Sequence, residues 1–147
     1  MNILHETLHF TQEISHPVEA VWKAYANVDD RSQWSVPKGE QIIYDASELE
    51  EGGRDLYRCG PPEDLSTIGN VAYHIVEPSR RWMYSEALHS GEQLLAVALV
   101  TWELEPIDLG TRITIVNQVT SLVGPRMIEG SRNGHNKALD QLAHWLP

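Results

Sequence analysis

The sequence has little of several things, and each shortage argues against a class of protein. A single cysteine, Cys59, excludes an internal disulfide and is typical of a reducing compartment. A net charge of −10 argues against a nucleic-acid partner and against anionic membrane surfaces. No apolar run approaches the roughly 20 residues that span a bilayer, and the first ten residues lack the pattern of a signal peptide. We therefore expect a cytoplasmic protein without membrane insertion.

Familiar catalytic and cofactor motifs are also missing. The chain has no GxSxG elbow, no Walker-type phosphate loop, no HExxH and no CxxC pair. His5 and His9 share one face of a predicted strand, but no third ligand follows at motif spacing. His135 and His144 are nine residues apart, too far for a shared metal. The sequence predicts no metal site, no nucleotide and no other cofactor.

What is present is the pattern of one α+β domain over residues 1–147. At 147 residues, 41% of them hydrophobic, the chain can enclose a real core, and no linker or repeat divides it. Alternating apolar and polar residues predict strands, and apolar residues at helical spacing predict helices. The predicted order is strand 5–14, helices from Pro17 and over 28–34, strands 41–46, 54–59, 68–76, about 82–88, 94–105 and 111–120, and a closing helix over 124–146.

The closing helix is predicted to be amphipathic, with one apolar face that must lie on the sheet. That face is made of residues at helical spacing, namely Met127, Ser131, Gly134, Ala138, Leu142 and Trp145, widened by Leu139 and Leu146.

Two glycines, Gly130 and Gly134, lie on the same side of this helix, four residues apart, and each costs roughly 1 kcal/mol relative to alanine. One interpretation is that side chains of the sheet crowd the helix there, or that the helix breaks near Gly130. The other is that the missing side chains leave room for a ligand between helix and sheet. The sequence leaves both open.

This arrangement describes the helix-grip fold, in which a curved antiparallel sheet wraps a long C-terminal helix. The chain resembles the START-like superfamily, which includes polyketide cyclases and homologues of the activator of the heat-shock-protein ATPase, and it resembles the latter branch in particular. The segments that carry the resemblance run over nearly the full chain: HPVEAVW (16–22), Trp34, EPSRR (77–81), WELEP (102–106) with GTRIT (110–114), and 134–146. The resemblance implies a cavity between sheet and closing helix that takes small apolar or amphipathic molecules. It also implies that some relatives act on polyketide-like substrates and that eukaryotic ones bind a chaperone.

Strand alternation predicts an interior of aliphatic residues interrupted by a few polar ones, Gln12, Tyr57, Tyr73, Tyr84, Glu86, Asn117 and Ser131. Apolar walls with a few polar groups are what a ligand pocket needs. An alternative is that the tyrosine hydroxyls reach the rim and that Asn117 satisfies backbone groups. The predicted ligand-binding residues are Trp34, Tyr57, Tyr73, Tyr84, Glu86, Trp102, Asn117, Met127, Ser131 and Gly134.

Glu86 is the candidate catalytic residue. A carboxylate that faces an apolar interior is desolvated, so its pKa should rise unless a cation or hydrogen-bond donors compensate. A raised pKa would suit general acid–base chemistry on an enolisable or dehydratable substrate, with Tyr84, Tyr57 or Asn117 orienting the reacting oxygen. Alternatively, Glu86 lies at the end of its strand, in water or paired with an arginine, and a one-residue bulge would reverse its facing.

The function predicted first is binding of a small hydrophobic or amphipathic molecule. The alternatives are an enzyme of polyketide cyclase or dehydratase type that uses Glu86, and a protein-interaction module of co-chaperone type. An inward Glu86 in an enclosed cavity favours the enzyme, whereas an exposed apolar groove favours a protein partner. Trp82 and Trp145, if exposed, would suggest a homodimer; core packing accounts for them equally well.

Overall fold

The computed structural model describes residues 2–147, which form one seven-stranded antiparallel sheet and three helices. The elements are β1 (Leu4–Ile14), α1 (Val18–Ala26), α2 (Val28–Trp34), β2 (Gln41–Ser47), β3 (Arg54–Gly60), β4 (Thr67–Glu77), β5 (Arg81–Ser90), β6 (Gln93–Ile107), β7 (Gly110–Ser121) and α3 (Pro125–Trp145). The predicted α+β helix-grip fold, with two short helices after the first strand and a long C-terminal helix, is confirmed.

The sheet is a meander closed at one edge by the first strand. Its strand order is β1-β7-β6-β5-β4-β3-β2, and every neighbouring pair is antiparallel. The α3 helix packs on β1, β7 and α2. Gln141 fixes it to the segment after α2, because its Nε2 donates to the carbonyls of Trp34 and Val36, each at 2.7 Å. The α3 helix therefore lies over the β1–β7 side of the sheet, and Gln141 joins it to the end of α2 and the segment that follows.

Alternation predicted the buried faces of β1 and β7 correctly, and that of β6 from Ala96 to Leu104. At the start of β6 the register with β5 shifts, and Leu95 is buried whereas Leu94, predicted to face inward, is half-buried.

In β4 the register with β5 shifts between Tyr73 and Ile75. The bulge moves the inward position by one residue, so Val76, rather than the predicted Ile75, packs against the core. Gln12, predicted to point inward, is half-buried, and its amide donates only to the neighbouring carbonyl of Glu13 at 3.5 Å.

The α3 helix is continuous, so the predicted break near Gly130 is wrong. Its buried side chains are Ile128, Ala138, Leu139 and Leu142. The prediction that Trp145 belongs to the apolar face is also wrong, because its side chain is 43% exposed in the last turn of the helix. Because an α-helix has 3.6 residues per turn, its apolar face could begin at residue 127 or at residue 128. Only the packing of the helix on the sheet shows which of the two is buried.

A cluster of aromatic rings joins the first two helices to the sheet. Trp82 and Trp102 stack with their ring centroids 5.2 Å apart. Trp22 and Tyr25 of α1 pack on Trp82 at 5.1 and 4.6 Å, and Trp34 of α2 lies 6.2 Å from Trp102. Trp82 is completely buried in this cluster, so the suggestion that it contributes to a dimer surface is wrong and core packing accounts for it.

Candidate functional site

A cavity of about 520 Å³ lies between the inner face of the sheet, α2 with the segment after it, and the first half of α3. We call it the helix–sheet cavity. Much of its wall is aliphatic, including Ile42, Val71, Leu88, Ala96, Ala98, Val119 and Ala138. Its exposed lining residues are Glu40, Gly130, Asn133 and Lys137, so the mouth lies between the segment after α2 and α3.

The structure brings most of the predicted ligand-binding residues together in this cavity. Those that line it are Trp34, Tyr57, Tyr84, Glu86, Trp102, Met127, Ser131 and Gly134. A Cβ atom added at Gly130 or Gly134 would meet nothing within 4 Å. Crowding by the sheet is therefore the wrong explanation for these glycines, and open space lies beside them.

Tyr73 and Asn117 do not line the cavity and instead lie behind its wall. Asn117 is 1% exposed. Its Nδ2 donates to Ser131 Oγ at 2.9 Å and lies 3.1 Å from His135 Nε2, whereas its Oδ1 has no partner. The expectation that Asn117 satisfies backbone groups is wrong, since both of its partners are side chains of α3.

Glu86 lies in the middle of β5 and points into the cavity. The register of β5 is regular from Trp82 to Leu88, so no bulge reverses its facing. Its Oε2 accepts a hydrogen bond from the Tyr57 hydroxyl at 2.6 Å. No arginine, lysine or histidine of residues 2–147 lies within ion-pair distance of it. Burial raises the pKa of Glu86 above its ordinary value, although the Tyr57 hydrogen bond opposes this.

The hydroxyl group of Tyr57 stays protonated and so donates its hydrogen bond to Glu86. Burial, and then the neighbouring Glu86 carboxylate, raise the pKa of Tyr57 well above its ordinary value. The phenol therefore keeps its proton at any biochemical pH. Cys59, on the same face of β3, is unsuited to nucleophilic chemistry, because burial raises the pKa of its thiol to about 11.

A buried ion pair that the sequence did not predict, Arg31 with Asp55, forms part of the cavity wall. The two residues are 2% and 3% exposed, and Arg31 Nη2 lies 3.4 Å from Asp55 Oδ2. Asp55 also accepts from Tyr73 at 2.5 Å and from Ser47 at 2.7 Å. Arg31 Nη1 donates to the same Tyr73 hydroxyl at 3.0 Å. Each charge therefore has the other as its counter-ion, and hydroxyl groups add hydrogen bonds, while Arg31 Nε has no partner among residues 2–147.

Two aromatic rings complete the environment of Arg31. Its guanidinium carbon lies 4.5 Å from the ring centroid of Tyr25 and 4.6 Å from that of Tyr44. Contacts of this kind stabilise a desolvated cation by about 2 kcal/mol. Strand alternation puts Asp55 on the same face of β3 as Tyr57 and Cys59, so the sequence could have predicted that Asp55 points inward. No comparable signal marks Arg31, because a seven-residue helix does not show which distant strand it meets.

His135 was also missed as a cavity residue. Its ring lines the cavity and packs on Phe10 at a centroid distance of 5.0 Å. Burial lowers its pKa to about 4, so the imidazole is neutral at pH 7.

Among residues 2–147, no three His, Cys, Asp or Glu side chains are placed to share a metal ion. Over the same residues, none of the helices is both long and apolar enough to span a bilayer.

Comparison with known proteins identifies the family. Residues 15–146 match the family model described as Activator of Hsp90 ATPase homolog 1-like protein, and the chain belongs to this family. No curated protein matches the chain.

Several solved structures share the fold at low sequence identity. Protein CV1439 from Chromobacterium violaceum superposes with a TM-score of 0.85 at 20% identity, covering 95% of this chain and 96% of that one. Mll3558 from Rhizobium loti superposes with a TM-score of 0.87 at 22% identity, covering 99% and 100%. Ms6760 from Mycobacterium smegmatis gives 0.81 at 20% identity, covering 100% and 96%. At these identities the likeness establishes the architecture alone.

Proposed function

We propose that this protein binds a small molecule with an apolar body and a polar end in the helix–sheet cavity. The observation that carries the proposal is a mostly aliphatic and aromatic wall with a charged side chain, Glu86, that points inward without an ionic partner, whereas Glu40 and Lys137 lie exposed at the mouth. Apolar area supplies affinity, and a few buried polar groups fix the orientation of the ligand.

The size and the shape of the cavity support this proposal. Its volume, about 520 Å³, falls within the range of small-molecule pockets. Gly130 and Gly134 keep the α3 side of the cavity open, at a cost of roughly 1 kcal/mol each in helix stability. Space kept at such a cost is better explained by a ligand than by packing, because no atom of the chain approaches these positions.

Ligand binding is tested by thermal unfolding in the presence of aromatic, polyketide-like and fatty molecules. A ligand that binds only the native state stabilises it by about 2.7 kcal/mol at a concentration of about one hundred times its Kd. We expect one chemical class to raise the melting temperature. Gly134→Trp, which places an indole in the cavity, should abolish that response.

The matched control is Asn136→Trp, which adds the same side chain to an exposed position of α3 outside the cavity. It should leave the response intact. Stabilisation that survives Gly134→Trp, or the absence of any stabilising class, would count against binding in this cavity.

The hydrogen bond between Tyr57 and Glu86 favours a second function, acid–base catalysis of the cyclase or dehydratase type. A buried carboxyl group with a raised pKa can take a proton from carbon next to a carbonyl, or give one to a leaving hydroxyl. Tyr57 would hold that carboxyl group in place. Once a binding class is known, turnover of its members by wild type and by Glu86→Gln tests this function. Loss of turnover with retained binding supports it, and unchanged turnover excludes Glu86 as the acid–base group.

A further inference from the structure

The helix–sheet cavity contains two inward carboxylates in very different surroundings. Asp55, Val71 and Glu86 are register partners on β3, β4 and β5, so one strand separates the two carboxylates and their backbones lie roughly 10 Å apart. Asp55 has a guanidinium and two hydroxyl donors. Glu86 has one hydroxyl donor and no cation. The two acids therefore differ in whether the chain itself balances their charge.

No basic side chain of the described residues 2–147 is available to balance Glu86. Arg31 is committed to Asp55, Tyr73 and Ser47. His135 is neutral at pH 7 because burial lowers its pKa. Lys137 lies at the mouth of the cavity, exposed, and forms no ion pair with Glu86. A desolvated carboxylate without a counter-charge is costly, and either a proton or a cation from outside relieves that cost.

The surroundings of Glu86 suit an organic cation. Six tyrosine and tryptophan side chains line the cavity with it, namely Tyr25, Trp34, Tyr44, Tyr57, Tyr84 and Trp102. Aromatic rings attract a desolvated ammonium group through their quadrupole, and a carboxylate attracts it through its charge. The protein already holds one cation in this way, since Arg31 lies between the rings of Tyr25 and Tyr44 and against Asp55.

We infer that the ligand of the helix–sheet cavity is a protonated amine with an apolar body, whose ammonium group binds Glu86 while the body fills the aliphatic half of the cavity. The inference rests on the proposed binding function and narrows it to one charge class. A neutral ligand would leave only a proton to balance the carboxylate, and an anionic ligand would be repelled by its ionised form.

Three probes with one hydrocarbon body and different head groups test the inference: phenylbutylamine, phenylbutanol and phenylbutyrate. Their Kd values are measured by titration calorimetry near neutral pH with wild type and with Glu86→Gln. In wild type we expect the amine to bind at least about tenfold more tightly than the alcohol, the ratio that one charge-assisted contact supplies. Phenylbutyrate should bind weakest. In Glu86→Gln the amine and the alcohol should bind within about twofold of each other.

The net charge of −10 attracts any amine, so a charge-matched control is needed. Glu92→Gln removes the same charge from the exposed turn between β5 and β6, outside the cavity. It should keep the preference for the amine.

These outcomes distinguish failure of the amine inference from failure of the proposed small-molecule binding. If the alcohol binds as well as the amine in wild type, or if phenylbutyrate binds best, the amine inference is overturned while small-molecule binding stands. Loss of the preference in Glu92→Gln as well as in Glu86→Gln also overturns it. Failure of all three probes and of every class in the thermal screen would overturn both. The wild-type comparison needs no variant, so it decides the question even if Glu86→Gln does not fold.

Discussion

The ring of Tyr57 lies flat across Gly69, its register partner on the next strand. A methyl group at position 69 would overlap the Cζ and Cε2 atoms of that ring. Because Gly69 has no side chain, the ring can cross β4 and its hydroxyl can reach Glu86 on β5. The geometry of the Tyr57–Glu86 hydrogen bond therefore depends on a residue that takes no part in it.

The first prediction concerns Gly69→Ala. The added methyl should push the Tyr57 ring away and lower the free energy of unfolding by about 1–3 kcal/mol, as overpacking does. In a Tyr57→Ala background the obstacle is gone, so Gly69→Ala should cost much less there. Denaturant unfolding of the four proteins gives the coupling energy. Additive costs would mean that the ring does not depend on Gly69.

The sequence predicts the fold well because most strands alternate without interruption. In β7, for instance, Ile113, Ile115, Asn117 and Val119 all point inward as expected. Alternation fails in β4 beyond Tyr73, since a bulge leaves no mark in the composition of the strand. The prediction for Trp145 failed because helical spacing does not show where the sheet that a helix packs on comes to an end.

The site was predicted less completely, for a different reason. The inward direction of Glu86 and Tyr57 follows from the alternation of side chains along each strand, which is a local property of the sequence. The pairing of Arg31 with Asp55 joins α2 to β3, and the role of Asn117 requires α3 to bring Ser131 and His135 to it. Such contacts depend on the three-dimensional arrangement of elements, which residue spacing does not encode.

The second prediction concerns the glycines of α3. Gly130→Ala and Gly134→Ala should each raise the free energy of unfolding by about 0.5–1 kcal/mol, because alanine favours the helix and nothing lies within 4 Å of the added Cβ. Denaturant titration of each variant measures the gain. Gly69→Ala is the natural comparison, since the same chemical change there should have the opposite sign. A loss of stability at either helix position would mean that the neighbouring space is smaller than the structure gives.

The third prediction concerns the pH dependence of stability through Glu86. Burial raises the pKa of this carboxyl group in the folded state, so its contribution to stability is complete below the unfolded pKa of about 4.3 and is lost as the pH rises through the folded value. Wild type should therefore lose stability relative to Glu86→Gln as the pH rises from the unfolded pKa of about 4.3 through the folded pKa. The charged and titratable groups that line the cavity with Glu86 are Tyr25, Arg31, Glu40, Tyr44, Asp55, Tyr57, Cys59, Tyr84, His135 and Lys137.

Denaturant unfolding of wild type and Glu86→Gln across that pH range provides the measurement. Subtracting the two curves removes the opposite effect of His135, whose pKa of about 4 makes it destabilising as the pH falls. A difference that stays constant with pH would show that Glu86 titrates alike in the folded and unfolded chains. A saturating amine ligand should reduce the pH dependence, because it stabilises the ionised form of Glu86.

The fourth prediction concerns the buried ion pair of Arg31 and Asp55 in the cavity wall. Arg31→Met should cost about 3–5 kcal/mol, because it leaves the buried carboxyl group of Asp55 without its cation. Adding Asp55→Asn should recover part of that loss, since the amide carries no charge, its oxygen can still accept from Ser47, and its NH2 group can donate to the Tyr73 hydroxyl that Arg31 no longer reaches. Arg58→Met is the matched control, since Arg58 pairs with Asp45 at 2.8 Å on the surface and solvent screens that pair. Its cost should be much smaller. If the double variant is no more stable than Arg31→Met, then Arg31 acts through its packing against Tyr25 and Tyr44 and not through its charge.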